Sequence, residues 1–450
     1  MLKLAPFGNI FKIPDLKRRF LFTVALIAVY RIGCYIPTPG IDGAALSEFF
    51  QKLGESSGPT LFGIMNMFTG GALTRATVFA LGIMPYISAS IILQLLVAVI
   101  PALEKLSAQG EEGRQKLNQY TRYLTLAICL LQGYMIALWL SNPHHFQVGG
   151  MQYRIVLSPG IGFNLMTMIT LTTGTLLIMW LGEQIQERGI GNGISLIITA
   201  GIVSRMPVVA NQTITWLQPF TPQKFITLGF VAAILVVVLL VVILITQGQR
   251  RIPIQYARRV VGRRIYGGQS TYLPLRVNQA GVIPIIFAQS VILFPATIAT
   301  FLPRAGLIKF SQALQKGGLW YSLVFAGFIM FFTYFYTAIT FNPLEISKNL
   351  KKYGGFIPGI RPGTLTAQYL DFIMTRIALP GAIFLASIAV FPDILINLMK
   401  VPSALANFFG GTSVLIVVGV MLDTMRQLES RLMMRHYEGF MKKGTLKGRR

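Results

Sequence analysis

Apolar residues in this chain gather into ten blocks of about 15–25 residues, close to the ~20 that a helix needs to cross ~30 Å of hydrocarbon. The blocks run over 20–36, 76–100, 123–140, 161–180, 190–209, 225–245, 281–302, 320–341, 372–391 and 408–422. Gly, Ser and Pro interrupt the fifth and the ninth, which makes them the weakest. No long polar stretch is left over for a separate water-soluble domain. The chain is 53% hydrophobic and 12% charged, whereas a soluble domain carries about a quarter charged residues. Water could not solvate so apolar a chain. The spacing therefore predicts an all-α polytopic membrane protein with ten transmembrane helices.

Lys and Arg supply the orientation. With both termini cytoplasmic, the inside segments hold 30 of the 40 basic residues and the outside segments hold 9. That asymmetry is the positive-inside bias, and it agrees with an even number of spans. Most of the net charge of +25 then serves topology. The remaining cation, Arg31, sits near the outer end of the first block, within snorkelling reach of the interface. Cys34 and Cys129 lie far apart in apolar blocks and read as small hydrophobes that need no disulfide. The first block resembles the apolar core of a signal peptide. However, Tyr35-Ile36-Pro37 lacks a small-x-small cleavage pattern, so no cleavable signal is expected.

A long basic loop after the sixth block suggests two five-helix halves, 1–223 and 224–450, parting near Pro222 in the outside loop 204–223. An odd number of crossings per half inverts the second against the first, about an axis in the membrane plane. That inversion follows from parity, since the sequence shows no convincing self-similarity. The segment 61–74, LFGIMNMFTGGALT, is apolar but short. Fourteen residues of helix reach only about 21 Å, too little to cross. Such a stretch is either an interfacial helix or a re-entrant segment entering a cavity.

Two cytoplasmic loops stand apart. The first, 247–280, contains Arg250, Arg251, Arg258, Arg259, Arg263 and Arg264, and its stretch RRIYGGQSTYLPLRV reads as a hairpin about Gly267-Gly268. The second, 342–375, holds Lys348, Lys351 and Lys352, then FIPGIRPGT, where Pro358-Gly359 and Pro362-Gly363 bracket Arg361 in a turn-rich tip. Projecting basic loops suit an acidic partner such as RNA phosphate or an acidic protein face. Lipid headgroups are the plainer alternative.

Catalytic and cofactor chemistry is missing from the sequence. No G-x-x-x-x-G-K-[ST], HExxH or CxxC pattern occurs, and His144, His145 and His436 lie outside the blocks. The glycines of GIGNG (189–193) follow a membrane helix rather than a strand, so they read as a tight turn and not a dinucleotide site. No cofactor is expected. An ion-coupled secondary transporter also uses inverted repeats, but it would place charges near the bilayer midplane. Here the fifteen acids lie in loops or near block ends, with Asp393 and Asp423 closest to a boundary. A membrane-embedded enzyme would need a nucleophile and base, paired acids or metal ligands at depth, and none is visible.

Seven segments carry a more specific signal: YRIGCYIPTPGID (30–42), MFTGGALTRATVFALGIMPYISASIILQLL (67–96), GRQKLNQYTRY (113–123), MWLGEQIQERGIGNGIS (179–195), QSTYLPLRVNQAGVIPIIFAQS (269–290), FIPGIRPG (356–363) and FGGTSVLIVV (409–418). In order, over almost the whole chain, they resemble the SecY family, the large subunit of a protein-conducting channel. The resemblance implies ten helices around a central pore, with the halves hinged on one side and a lateral gate on the other. Ile83, Ile87, Ile198, Ile286 and Ile416 match the pore-ring positions. The segment 61–74 is similar to the plug, with Leu61, Phe62, Ile64, Met65, Met67, Phe68, Gly70 and Gly71. Gln94 and Asn278 fall on the helices that resemble the gate.

The same resemblance implies partners. The basic loops match a docking surface for the ribosome, both its RNA and its proteins, and for the SecA motor ATPase, with Arg361 at the family's prominent arginine. SecE and SecG would be small membrane subunits, and signal peptides and unfolded secretory polypeptides the substrates. The bacterial inner (plasma) membrane would be the location, with lipid receiving hydrophobic segments. Physical chemistry agrees with these roles. A pore for many different chains cannot bind any one tightly, and isoleucine offers no hydrogen bonds while its β-branch stiffens it. A ring of isoleucines would exclude water and ions by dewetting. A hydrophobic segment leaving sideways gains roughly 0.3–0.6 kcal/mol per Leu, Ile, Phe or Val at a helix centre. That outweighs one or two gate contacts of about 0.6–2 kcal/mol.

Overall fold

A computed structural model of the chain describes residues 13–57, 66, 68–142, 146–148, 151–256, 259–261, 264–266, 270–301, 318–399, 401, 405, 406, 408 and 411–443. In chain order the elements are α1 (Pro14–Gly33), α2 (Gly43–Ser57), α3 (Met84–Val99), α4 (Pro101–Ser107), α5 (Glu111–Ser141), β1 (Gln147–Val148), β2 (Met151–Gln152), α6 (Ile161–Arg188), α7 (Gly193–Val203), α8 (Met206–Leu217) and α9 (Pro222–Gln247). There follow β3 (Gln249–Tyr256), β4 (Arg259–Val261), β5 (Arg264–Tyr266), β6 (Ser270–Arg276), α10 (Ile283–Phe301), α11 (Leu319–Thr340), α12 (Pro343–Lys352), β7 (Gly355–Phe356), α13 (Thr364–Met399) and α14 (Thr412–Lys443). They form two compact units. One comprises Met1–Asn211, Leu293–Gln312 and Ile416–Arg450; the other comprises Gln212–Ile292 and Ala313–Leu415.

Among the described residues, six helices are long and apolar enough to cross a membrane: α5, α6, α7 with α8, α9, α11 with α12, and most of α13. The pair α3 and α4, bent by 105°, makes a seventh if it counts as one crossing. Ten crossings were expected, and the shortfall has identifiable causes. α1 carries Asp15, Lys17, Arg18 and Arg19 at one end and Arg31 at the other. α14 turns charged at Asp423 and Arg426. α10 contributes a shorter apolar helix, Ile283–Ile292.

The second block also differs from its expected helix over 76–100. Helix begins only at Met84, with Pro85 in its first turn. Upstream, Gly82 has φ +59 and Ala76 φ +44, left-handed values that a helix cannot accommodate.

Helix packing in the first unit relies on glycine. A Cβ on Gly174 of α6 would lie 2.0 Å from the Val78 carbonyl oxygen, and one on Gly33 of α1 would lie 2.0 Å from the Phe79 ring. Those two positions let the irregular 76–83 stretch lie directly on two helices. A separate apolar cap gathers Leu46 and Phe49 of α2, Leu140 of α5, Phe146, Ile155, Val156 and Phe163. Asp42 starts α2 by accepting from the Ala44 and Ala45 amides at 2.9 and 3.1 Å. On its exposed side Lys52 donates to Glu48 at 2.8 Å and to the Tyr153 hydroxyl at 2.6 Å. The hydrogen bond from that ammonium holds the Glu48 carboxyl below its ordinary range, and the Glu48 carboxylate in turn raises Lys52.

In the second unit the two basic loops fold together. β3 pairs antiparallel with β6 from Gln249↔Arg276 to Gln255↔Ser270, and with β7 at Gln255↔Phe356 and Tyr256↔Gly355. The hairpin about Gly267-Gly268 is thus corrected. The strands flanking it pair not with each other but with upstream strands, β5 with β4 and β6 with β3. Alternation decides the register. Ile252 and Ile254 point inward while Arg251, Pro253 and Gln255 are exposed, and a one-residue slip would exchange those faces.

Candidate functional site

Of the expected residues, Phe68, Gly70, Gly71 and Ile83 lie in the irregular stretch before α3, and Ile87 and Gln94 lie on α3 itself. Residues 68–83 run through Gly70 (φ +65), Gly71 (φ +91), a 3₁₀ turn at Leu73–Arg75, Ala76 and Gly82. Most of them are buried. Buried non-helical backbone must find its hydrogen bonds locally, and here it does. The Gly71 amide donates to the Asn66 carbonyl at 2.9 Å, Val78 to Ile36 at 3.0 Å, and Thr38 to Ala76 at 2.9 Å. The Asn66 side-chain oxygen accepts from the Thr74 amide and hydroxyl, both at 3.3 Å. At membrane depth, backbone of this kind is tolerated only inside protein or along a cavity.

Among the expected plug residues, Phe68 is 2% exposed, and Gly70 and Gly71 are half-buried. Leu61, Phe62, Ile64, Met65 and Met67 lie outside the described residues. Residues 68–70 sit against α1 and α7. Arg31 donates to the Gly70 carbonyl at 3.4 Å, and the Cys34 thiol donates to that of Thr69 at 4.0 Å. A Cβ on Gly70 would come within 3.0 Å of the Gly201 Cα.

All five expected ring residues are buried, from 0% exposure at Ile416 to 6% at Ile286. Ile83 ends the irregular stretch, and its carbonyl accepts from the Ile87 amide at 3.1 Å, which sets the two one turn apart. Ile198 is carried by α7, whose start is fixed by Asn192 accepting from the Ser195 amide at 3.2 Å. Ile416 is on α14 in the same unit, and Ile286 is on α10 in the other.

Gln94 and Asn278 differ in their surroundings. Gln94, half-buried on α3, donates to the Ser90 hydroxyl at 3.2 Å. Asn278 is 7% exposed and donates to the Gly281 carbonyl at 3.0 Å, while its side-chain oxygen has no partner. Gln289, which sequence reasoning passed over, is 4% exposed and also has an unpartnered side-chain oxygen. An unmet buried acceptor costs about 1–3 kcal/mol; Gln289 carries one on α10, and Asn278, expected on a gate helix, carries the other in the turn before α10, so the two flank Ile286 in sequence. The legible signal was a carboxamide inside an apolar block.

The basic loops make one platform. Ile252, Leu275, Phe341, Ile357, Leu370, Ile373 and Met374 form a shared core beneath the β6-β3-β7 sheet. Arg250, Arg251 and Arg361 are exposed. The tip holding Arg361 is fixed by the Thr366 hydroxyl donating to the Arg361 carbonyl at 2.9 Å and by Ser347 donating to that of Gly363. Gly359 (φ +82) and Gly363 (φ +119) make its turns. Arg259 and Arg264 belong to the β4–β5 pair, and Arg258 and Arg263 lie outside the described residues.

Acid placement matters for what the helices can carry. Asp393, expected near a boundary, lies inside the continuous α13, where it is 4% exposed and accepts from the Ser322 hydroxyl of α11 at 3.2 Å. Glu183 pairs bidentately with Arg122 at 2.9 and 2.8 Å, joining α5 to α6. Among the described residues no three His, Cys, Asp or Glu converge to hold a metal.

Comparison with known proteins gives a consistent picture. The SecY family profile matches residues 77–425. The chain is 49% identical over 438 residues to the protein translocase subunit SecY of Escherichia coli K12, covering 96% of both chains. It is 44% identical over 450 residues to that of Thermotoga maritima, covering 99% of both. Among solved structures, a protein-conducting channel aligns with a TM-score of 0.65 at 19% identity, over 95% of this chain and 97% of that one. Sec61 in the canine ribosome–channel complex aligns with a TM-score of 0.61 at the same identity and coverage. These last two likenesses speak to the fold, and the full-length identities speak to descent: the chain belongs to the SecY family.

Proposed function

We propose that this chain is the channel subunit of a Sec translocase, passing unfolded secretory polypeptides across a membrane and releasing hydrophobic segments sideways into lipid. The observation that carries the reading is the 49% identity over 96% of both chains to a protein translocase subunit SecY. In finer detail, the chain makes ten crossings in two inverted halves, 1–223 and 224–450, with both termini cytoplasmic in a bacterial inner membrane. The ring is Ile83, Ile87, Ile198, Ile286 and Ile416, whose burial agrees with a closed waist. The plug is 61–74, and the irregular buried backbone next to it supports a cavity-lining position. Gln94 and Asn278 hold the gate, and the unmet acceptor of Asn278 gives it a reason to exchange partners when the gate moves. The sequence has no G-x-x-x-x-G-K-[ST] loop, and directional movement comes from a partner. SecA or a translating ribosome docks on the platform carrying Arg250, Arg251 and Arg361, and SecE and SecG complete the membrane complex. A solved relative, the yeast Ssh1 complex, is bound to an 80S ribosome, which supports the ribosomal half of that assignment.

The deciding experiment reconstitutes the chain with SecE, SecG and SecA and follows protease protection of a secretory precursor. Single cysteines at Ile83 and Ile286 should crosslink to a stalled precursor. Crosslinks confined to lipid-facing positions, or saturable transport of a small solute with no precursor movement, would reject the channel reading.

A further inference from the structure

The turn GIGNG (189–193) does more than join α6 to α7, because the first and last helices of the chain both close on it. The Thr23 hydroxyl oxygen of α1 accepts from the Ile190 amide at 3.1 Å. Arg431 of α14 donates from Nη1 to the Gly189 carbonyl at 3.2 Å, across 242 positions of sequence. Beside those two contacts Leu16, Ile190 and Leu428 form a small buried core. Gly191 turns at φ +87, and a Cβ there would lie 3.0 Å from the Thr424 hydroxyl oxygen of α14. All of these residues belong to one compact unit.

Of these contacts, that of Arg431 is the charged one. Gly189 caps the carboxyl end of α6, where the last carbonyls of a helix lack partners along the chain and carry its negative dipole end. A guanidinium placed there gains a charge-assisted hydrogen bond as well as the dipole attraction. Among the described residues no carboxylate pairs with Arg431, so no ion pair there competes with the Gly189 carbonyl. The turn then leads into α7, where Gly193 lies directly on the Gly182 backbone of α6 and Ile198 follows at 1% exposure. α14 bears Ile416, at 0% exposure, upstream of Arg431. A single contact thus ties the turn entering one of these helices to the other.

We propose that Arg431 is a positioning residue for the channel's waist: by holding the Gly189 carbonyl it fixes how the start of α7 sits against α14, and so where Ile198 stands relative to Ile416. The inference rests on reading those two isoleucines as part of the ring. The test uses the full chain carrying Ile198→Cys, purified in detergent with its partner subunits, and follows reaction with a water-soluble maleimide. Native Cys34 and Cys129, 1% and 0% exposed, are the internal controls. Arg431→Met should speed labelling of the introduced thiol by about tenfold, the factor for losing one hydrogen bond to a charged group. Arg431→Lys keeps the charge but loses the planar fork; it should give a smaller rise, and it carries the test alone should Arg431→Met not accumulate. Cys34 and Cys129 should keep their wild-type rates. An unchanged rate at the introduced thiol overturns the proposal. So does an equal rise at all three thiols, which is general loosening and not the placement of one helix. Iodide leak from vesicles holding the chain with Arg431→Met alone separates the two ideas: faster labelling with no added leak leaves the role of Arg431 standing and removes Ile198 from the ring.

Discussion

Gly193→Ala is the sharpest test of how α7 is seated. The α-carbon of Gly193 faces the Gly182 backbone of α6 so closely that a Cβ would lie 1.9 Å from its carbonyl oxygen and 2.7 Å from its carbonyl carbon. Real Cβ contacts do not fall under 3.0 Å, so the two helices must part by about 1.1 Å, and neither side can yield by a rotamer change because both atoms are backbone. Overpacking of that kind costs about 1–3 kcal/mol, roughly 5–150-fold in the folded-to-unfolded ratio. The matched control is Gly229→Ala on α9, where a Cβ meets nothing within 4 Å; in a helix interior it should gain about 0.5–1 kcal/mol. Both native cysteines are buried and free, so a thiol-reactive fluorophore reads unfolding in detergent without labelling sites being added. Gly193→Ala should melt several degrees below wild type and Gly229→Ala at or above it. If the two variants melt together, α6 and α7 do not meet as described, and the placement of Ile198 falls with them.

The other expectations are simpler. Gln94→Leu combined with Asn278→Leu should change the signal hydrophobicity needed for insertion, measured with a graded series of signal variants; an unmoved threshold removes both from the gate. Replacing Arg250, Arg251 and Arg361 with Ala should weaken ribosome or SecA binding and flatten its salt dependence, with the fold, read by the same melting assay, preserved; undiminished binding would place docking elsewhere. Glu48→Gln should lower the melting temperature slightly near neutral pH. Because Lys52 depresses the Glu48 carboxyl, that contribution is present above the ordinary carboxylate value and lost as pH falls through the depressed one, so the gap to wild type should close in strong acid and in high salt. A gap that widens in acid contradicts the pairing.

The sequence announces membrane helices and their order because a run of apolar residues is a local property. Block boundaries hold less well. The run 76–100 looks continuous by composition, yet the left-handed backbone at Ala76 and Gly82 delays helix to Met84, and composition does not register φ. The two basic loops read as separate because strand pairing between 249–256 and 355–356 joins residues a hundred positions apart. The hairpin reading about Gly267-Gly268 rested on a local turn signal, whereas the strands on either side pair with upstream strands, β5 with β4 and β6 with β3. Family resemblance supplied the five isoleucines; spacing alone does not distinguish them from other buried apolar residues. Arg31 was visible as a charge out of place, but the carbonyl it grips could come only from three dimensions.

One consequence of the joined sheet concerns force. β6 runs into α10 through the Asn278–Gly281 contact, and the tip after β7 runs into α13 through Thr366. Since β3 is bonded to both strands, a displacement of either loop is passed to both helices at once. The platform is thus a crossbar that ties the backbone entering α10 to the backbone entering α13.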